Sequence, residues 1–143
     1  MTEKKFLTIQ TVWSLAAGAV LYAVLSPDVW FVRELGAMLH RELQPVFNLH
    51  SPVLRYIRWY GPDMLWGYAL TSALLLFSRL GAGLSDRTCL IISCIFSAIL
   101  EFLQLLPWIS GTFDVLDIVT VWLAQALAFR AGGHAADRKE QQT

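Results

Sequence analysis

The feature that most constrains this sequence is its set of long uncharged runs. The first extends from Phe6 to Leu25, and its 20 residues are enough to cross the roughly 30 Å hydrocarbon core of a bilayer. It is too long for a signal-peptide core and no small-residue cleavage pattern follows, so we expect a retained anchor. The runs predict an all-α polytopic membrane protein with four transmembrane helices, at about residues 6–26, 62–79, 88–107 and 114–130.

Composition supports a lipid environment. Hydrophobic residues make up 56% of the chain and charged residues 15%, whereas soluble domains have about 45–50% and about 25%. The formal net charge is zero, with no basic cluster of the kind that binds nucleic acid. Cys89 and Cys94 lie in one apolar run on different helix faces, so we interpret them as small membrane-buried side chains rather than a disulfide.

The segment from Pro27 to Gly61 differs from the four runs. Charged residues alternate there with apolar residues at helical spacing, which predicts an amphipathic helix lying on the membrane surface between helices one and two. The second membrane helix is then expected to begin at Pro62, since proline and a following acidic residue, Asp63, favour a first helical turn. Residues 131–143 are predicted to form a loose polar tail.

The distribution of basic residues predicts the orientation. Seven of the eleven lie in the N-terminal segment, the turn after helix two and the tail: Lys4, Lys5, Arg79, Arg87, Arg130, Arg138 and Lys139. The first connection holds the other four and the last connection holds none. The positive-inside rule therefore predicts that both termini are cytoplasmic.

Several polar residues interrupt the membrane segments at one end of the predicted bundle. Glu101 and Gln104 share a face of helix three, because they are three residues apart. Glu101 lies about 9 Å from the predicted helix end at Pro107, and a carboxylate inside a span is costly and usually marks function. The predicted pocket, open to the outer face, is lined by Asp63, Glu101, Gln104 and Asp117, with Arg55 and Arg58 as counter-ions.

Helix-end chemistry offers another interpretation of some of these acids. Asp114 suits an N-cap position, and Asp63 suits a helix start. Glu101 is also open to a structural interpretation, either as a carboxylate paired with an arginine or as a protonated side chain. Two histidines, His40 and His50, have no metal-ligand spacing relative to each other or to the acids, so we predict no metal site and no cofactor.

Three short motifs resemble the signature of VanZ-like membrane proteins. The first is Glu101-Phe102-Leu103-Gln104, an E-x-x-Q late in one helix. The second follows a short loop as Asp114-Val115-Leu116-Asp117, a D-x-x-D that opens the last helix. The third is Pro62-Asp63-Met64-Leu65-Trp66, a P-D-x-x-W at the start of an earlier helix. The resemblance covers roughly residues 60–128.

The resemblance implies a bacterial inner-membrane protein that acts at the cell envelope. The family's namesake is linked to resistance to glycopeptide antibiotics such as teicoplanin, and most members have no assigned activity. Two positions depart from the pattern: Ala124 stands where many members have glycine, and Trp122 where many have asparagine or tyrosine.

Three functions fit this pattern. The favoured hypothesis is a protein that binds or modulates a membrane lipid or a lipid-linked envelope precursor. The second is a membrane-embedded enzyme in which paired carboxylates act as general acid and base. The third is a small proton-coupled transporter, which at four spans would need to form a homo-oligomer.

Overall fold

The structure is a computed structural model that describes residues 2–25, 34, 36–38, 40, 51–108 and 112–140, with the side chains of 134–140 excepted. Every regular element in these residues is helical. The long helices are α1 (Glu3–Leu25), α2 (Pro52–Phe77), α3 (Asp86–Leu103) and α4 (Val115–Glu140). Helix α2 packs against each of the other three.

Helix α2 begins ten residues before the predicted start at residue 62, so that prediction is wrong. Ser51 occupies the N-cap position with extended backbone, and Pro52 stands at the start of the helix, which is the arrangement that proline favours. Pro62 lies buried inside the helix instead. Helix α1 packs closely against α2 beside this proline: a Cβ on Gly61 would lie only 3.3 Å from Leu21 Cδ1 of α1.

Part of the predicted surface segment therefore belongs to α2, namely residues 52–61. Of the remainder, residues 27–33, 35, 39 and 41–50 lie outside the described residues, including Arg33, Arg41 and His50. Residues 34 and 36–38 are helical.

Helix α3 ends at Leu103 rather than near Pro107, where the sequence predicted its end. Gln104, Leu105 and Leu106 form tighter backbone hydrogen bonds, each to the carbonyl three residues back. The residue before a proline disfavours α-helical geometry, and this explains why the helix stops short. Glu101 consequently lies in the last turn of α3, closer to the helix end than predicted.

The last helix is longer than predicted. Asp114 precedes α4, and the backbone remains helical to Glu140, so residues 131–140 of the predicted loose tail are helical. Residues 141–143 lie outside the described residues.

Among the described residues, two segments are long and apolar enough to cross a membrane: Glu3–Leu25, which is α1, and Val115–Gly133, within α4. Helix α2 carries Arg55, Arg58 and Asp63, and α3 carries charges at both ends. The structure thus shows an all-helical protein with two helices compatible with membrane association.

One end of the bundle is held together by both apolar packing and charge. Leu7, Leu75 and Cys89 form a fully buried cluster from α1, α2 and α3; Cys89 is thus buried against protein, and membrane burial of the two cysteines stays a prediction. Cys94 is half-buried, and both cysteines are free. The chain leaves α2 through the turn Ser78–Ala82 and continues through Gly83.

Arg79 in this turn connects three elements. Its Nε lies 2.5 Å from Glu3 at the start of α1, and its two terminal nitrogens each lie 2.6 Å from an oxygen of Asp86 at the start of α3. The paired carboxylates raise the pKa of the Arg79 guanidinium above its already high value, so it is charged at neutral pH. We call this arrangement the Arg79 clamp.

Candidate functional site

At the opposite end of the bundle, the four predicted pocket residues outside the arginines come together. Asp63 of α2, Glu101 and Gln104 at the end of α3, and Asp117 in the first turn of α4 all line one cavity of about 310 Å³. Tyr22 near the end of α1 and Trp66 of α2 complete its wall. We call this space the acidic cavity.

Asp63 is positioned by contacts between α1 and α2. Tyr22 Oη donates a hydrogen bond of 3.1 Å to Asp63 Oδ1. Trp66 is three residues after Asp63, so both side chains occupy the same face of α2. Its ring stacks on Phe96 of α3, with 6.0 Å between the ring centroids. The P-D-x-x-W spacing therefore supplies the cavity with a carboxylate and an aromatic wall from a single helix.

Glu101 is buried, with 8% of its surface exposed, and its two oxygens have different partners. Oε1 accepts the backbone N–H of Asp114 at 2.9 Å, and Oε2 accepts Gln104 Nε2 at 3.0 Å. The carboxylate thus connects the end of α3 to the residue before α4. It forms part of the cavity wall and also braces the loop between these helices.

Asp114 is the N-cap that the sequence predicted. Its Oδ1 accepts the backbone N–H of Leu116 at 2.8 Å, as a capping side chain does. Its Oδ2 accepts a hydrogen bond of 3.3 Å from Tyr60 Oη of α2. Both contacts fix the start of α4, and Asp114 is absent from the cavity wall.

Asp117 differs from Asp114 although only three residues separate them. It lines the acidic cavity, and among the described residues its carboxylate takes part in no hydrogen bond. Its place in the first turn of α4 puts the negative charge near the positive end of the helix dipole, which is favourable. Of the acids around the cavity, Asp117 is therefore the one whose oxygens are directed to the cavity without a protein donor from the described residues.

The two arginines expected as counter-ions are not part of the cavity wall. The Arg55 guanidinium lies over the ring of Trp59, 5.0 Å from its centroid. Arg58 is one turn before Pro62 on the same helix. Among the residues that the structure describes, the acidic cavity thus brings together three carboxyl groups and no arginine lines its wall.

Sequence analysis missed the polar layer that lies next to the cavity. Gln125 of α4 is fully buried, and its Nε2 donates to the carbonyl of Ser93 at 3.0 Å. The hydroxyl of Thr71 donates to Ser93 Oγ at 2.9 Å, which joins α2 to α3. A glutamine in the middle of the otherwise uncharged run of helix four was the available signal. It was missed because the polar residues considered were those at one end of the predicted bundle, whereas Gln125 lies in the middle of its helix.

The acidic cavity offers hydrogen-bond acceptors in excess of donors. Carboxyl groups that share a cavity repel one another when ionised, and a ligand with positive charge or several donors relieves that repulsion. Within the ranges that the structure describes, no group of three or more His, Cys, Asp or Glu side chains has the arrangement of a metal site. Comparison of the chain with protein-family models, with curated proteins and with solved structures gives no match.

Proposed function

We propose that this chain is a polytopic bacterial inner-membrane protein of VanZ-like type whose acidic cavity binds the polar headgroup of a cell-envelope component. The single observation that carries the proposal is the convergence of Asp63, Glu101 and Asp117 on one cavity. These three residues come from the three motifs that resemble the VanZ-like signature. The three residues are far apart in the chain and belong to three different helices. A structural role within one helix therefore does not explain why they meet.

The polarity of the surface supports a membrane position for all four helices. Large apolar side chains on each helix are more than half exposed, for example Trp13, Phe77, Ile95 and Leu123. Side chains that are fully buried between helices include Thr71, Ser72, Ser93 and Gln125. A protein in water would expose a large apolar surface in this arrangement, whereas lipid favours apolar exteriors and small or polar contacts between helices.

The proposed topology places both termini and the Arg79 clamp in the cytoplasm, with the acidic cavity in the outer half of the membrane. It follows from the basic residues, which are concentrated at the clamp end and absent from the last connection. An outward cavity fits a ligand of the envelope rather than a cytoplasmic metabolite.

Cysteine accessibility tests this topology. In a background with Cys89→Ala and Cys94→Ala, Ala82→Cys in the turn after α2 and Thr112→Cys before α4 each place one thiol at an exposed position. In intact cells, an impermeant maleimide should label Thr112→Cys and leave Ala82→Cys unlabelled until the cells are lysed. The reverse pattern would place the cavity on the cytoplasmic side and contradict the envelope assignment.

The ligand chemistry follows from the wall. A phosphate or carboxylate entering among three carboxyl groups meets repulsion, while an ammonium group or a set of hydroxyl donors gains charge-assisted hydrogen bonds. Mass spectrometry of molecules that co-purify in mild detergent should find one ligand enriched in the wild type. Asp117→Asn should lose that ligand, and Asp114→Asn, a change at the nearby cap, should retain it. Equal retention by both variants would contradict a role for the cavity in binding.

A further inference from the structure

A second cavity adjoins the acidic cavity and has the opposite character. It is a groove of about 260 Å³ between α1 and α2. Its wall is formed by Ser14, Leu15, Gly18 and Ala19 of α1, by Pro62 of α2, and by Tyr22 and Trp66. We call it the α1–α2 groove. Tyr22 and Trp66 also line the acidic cavity, so the two spaces meet at these two side chains.

Small side chains keep the groove open. A Cβ on Gly18 would lie 3.7 Å from Leu65 Cβ and 3.8 Å from the Pro62 carbonyl oxygen, so the two helices are in close contact at the floor. Ala19, beside it, is exposed and contributes only a methyl group. From Ser14 to Tyr22 the groove follows α1 for about 12 Å. Such a floor accommodates a hydrocarbon chain lying along the helix.

The junction of the two spaces constrains what can occupy them together. A small water-soluble ligand would fill the acidic cavity and leave the apolar groove empty, whereas a lipid has one part that matches each space. Since the acidic cavity is complementary to positive charge and the groove to hydrocarbon, one amphiphile satisfies both.

We infer that the acidic cavity and the α1–α2 groove form one binding site for a membrane lipid with an ammonium headgroup, whose hydrocarbon chain lies in the groove. The inference rests on the proposed function, in that the headgroup occupies the cavity proposed above. The ammonium group is placed among Asp63, Glu101 and Asp117, and the chain passes between Tyr22 and Trp66 onto the small residues of α1.

Two alanines on α1 provide a matched pair of variants. Ala19 lines the α1–α2 groove. Ala16 lies one turn earlier and is also exposed, but it lines a separate surface hollow with Val12 and Trp13. Ala19→Phe fills the α1–α2 groove, and Ala16→Phe adds the same bulk elsewhere on the same helix. Both changes are at exposed positions, so folding is expected to persist. Ala19→Leu provides a second, smaller obstruction, and gel filtration in detergent checks all three proteins.

The experiment measures lipid retention by native mass spectrometry after incubation with equimolar dioleoyl phosphatidylethanolamine and dioleoyl phosphatidylglycerol. The wild type and Ala16→Phe should retain the ethanolamine lipid at least tenfold over the glycerol lipid. Ala19→Phe should lose at least fivefold of the retained ethanolamine lipid. Glycerophosphoethanolamine, the same headgroup without chains, should bind the wild type and Ala19→Phe alike and should fail to bind Asp117→Asn.

The remaining outcomes distinguish failure of the lipid site from failure of the proposed headgroup binding. Equal lipid retention by Ala19→Phe and Ala16→Phe overturns the groove assignment, while loss of the chainless headgroup in Asp117→Asn would still support a binding role for the cavity. Equal retention of the two lipids by the wild type overturns the ammonium assignment. If neither lipid nor the chainless headgroup binds the wild type, the ammonium-lipid site is wrong, and the proposed function is then decided separately by whether Asp117→Asn loses the co-purifying ligand that Asp114→Asn retains.

Discussion

The two ends of the helix bundle use acidic residues in opposite ways. At the clamp end, Glu3 and Asp86 share one guanidinium, that of Arg79, and beside them apolar side chains are packed without exposure. At the cavity end, Asp63, Glu101 and Asp117 surround a space that no arginine lines in the described part of the chain. A carboxylate paired with an arginine stabilises the fold, whereas carboxylates that converge on a cavity are available to a ligand.

This contrast predicts that substitutions at the clamp end reduce stability, and that substitutions of cavity acids reduce binding more than stability. Glu101 lies between the two cases, because it both lines the cavity and braces a loop. The following variants are ordered by the size of their expected effect on the free energy of unfolding.

Arg79→Gln should be the most destabilising change. It leaves Glu3 and Asp86 near each other without a cation, and hydrogen bonds to charged groups contribute about 1.5–3 kcal/mol each. We therefore expect a loss of about 2–3 kcal/mol, measured by denaturant unfolding in detergent micelles. Because the pKa of Arg79 is raised further by its partners, the guanidinium stays protonated when folded, and raising the pH to 10 should not reproduce the loss.

Arg87→Gln is the matched control for the clamp. Arg87 is exposed and lies in the first turn of α3, eight residues after Arg79. A change at such a surface position should alter the unfolding free energy by no more than about 0.5 kcal/mol. Equal losses in the two variants would show that the clamp end depends on its total positive charge and not on the Arg79 pairs.

Gly67→Ala should be next in size. A Cβ at Gly67 of α2 would lie 2.6 Å from Val121 Cγ1 of α4, which is far inside van der Waals contact. Overpacking of this kind costs about 1–3 kcal/mol, and Val121→Ala in the same protein should recover most of the loss. The control is Gly133→Ala, since nothing lies within 4 Å of the added atom there. Because Val121 lines the acidic cavity, Gly67→Ala should also weaken ligand retention.

Glu101→Gln should lower the free energy of unfolding by about 1 kcal/mol, which is more than a substitution at an exposed position without contacts would cost. A glutamine has one acceptor oxygen, so it can accept from the Asp114 N–H or from Gln104 but not from both, and one hydrogen bond contributes about 0.5–1.5 kcal/mol. Ligand retention should fall by tenfold or more. Full ligand retention together with this loss of stability would assign Glu101 to the loop brace alone.

Asp117→Asn and Asp114→Asn should have the smallest effects on stability. Asparagine is as good an N-cap as aspartate, so Asp114→Asn should keep the hydrogen bond to Leu116 N and change the unfolding free energy by about 0.5 kcal/mol or less. Asp117→Asn removes a charge that repels the other cavity acids, so stability should be unchanged or slightly higher while ligand retention is lost. A large loss of stability in Asp117→Asn would contradict the contrast between the two ends.

Some parts of this picture depended on local sequence alone. The uncharged runs determined the positions of the helices to within a few residues at most ends, because charged and turn-forming residues mark where each run stops. The three-residue spacings determined which side chains share a helix face: Glu101 with Gln104, and Asp114 as a cap three residues before Asp117. Local chemistry suffices for these features, since each involves only one or two helical turns.

Tertiary contacts decided the rest. Local sequence predicted that α2 starts at Pro62, whereas the structure starts it at Pro52. The difference lies in packing: Gly61 lets α1 approach, and the helix continues through Pro62. Likewise, local sequence does not show which residues Tyr22 and Gln125 bind, because their partners Asp63 and Ser93 are about 30–40 residues away in the chain. Whether a carboxylate braces a loop or faces a cavity depends on which helices surround it, and that is set only when all four helices pack together.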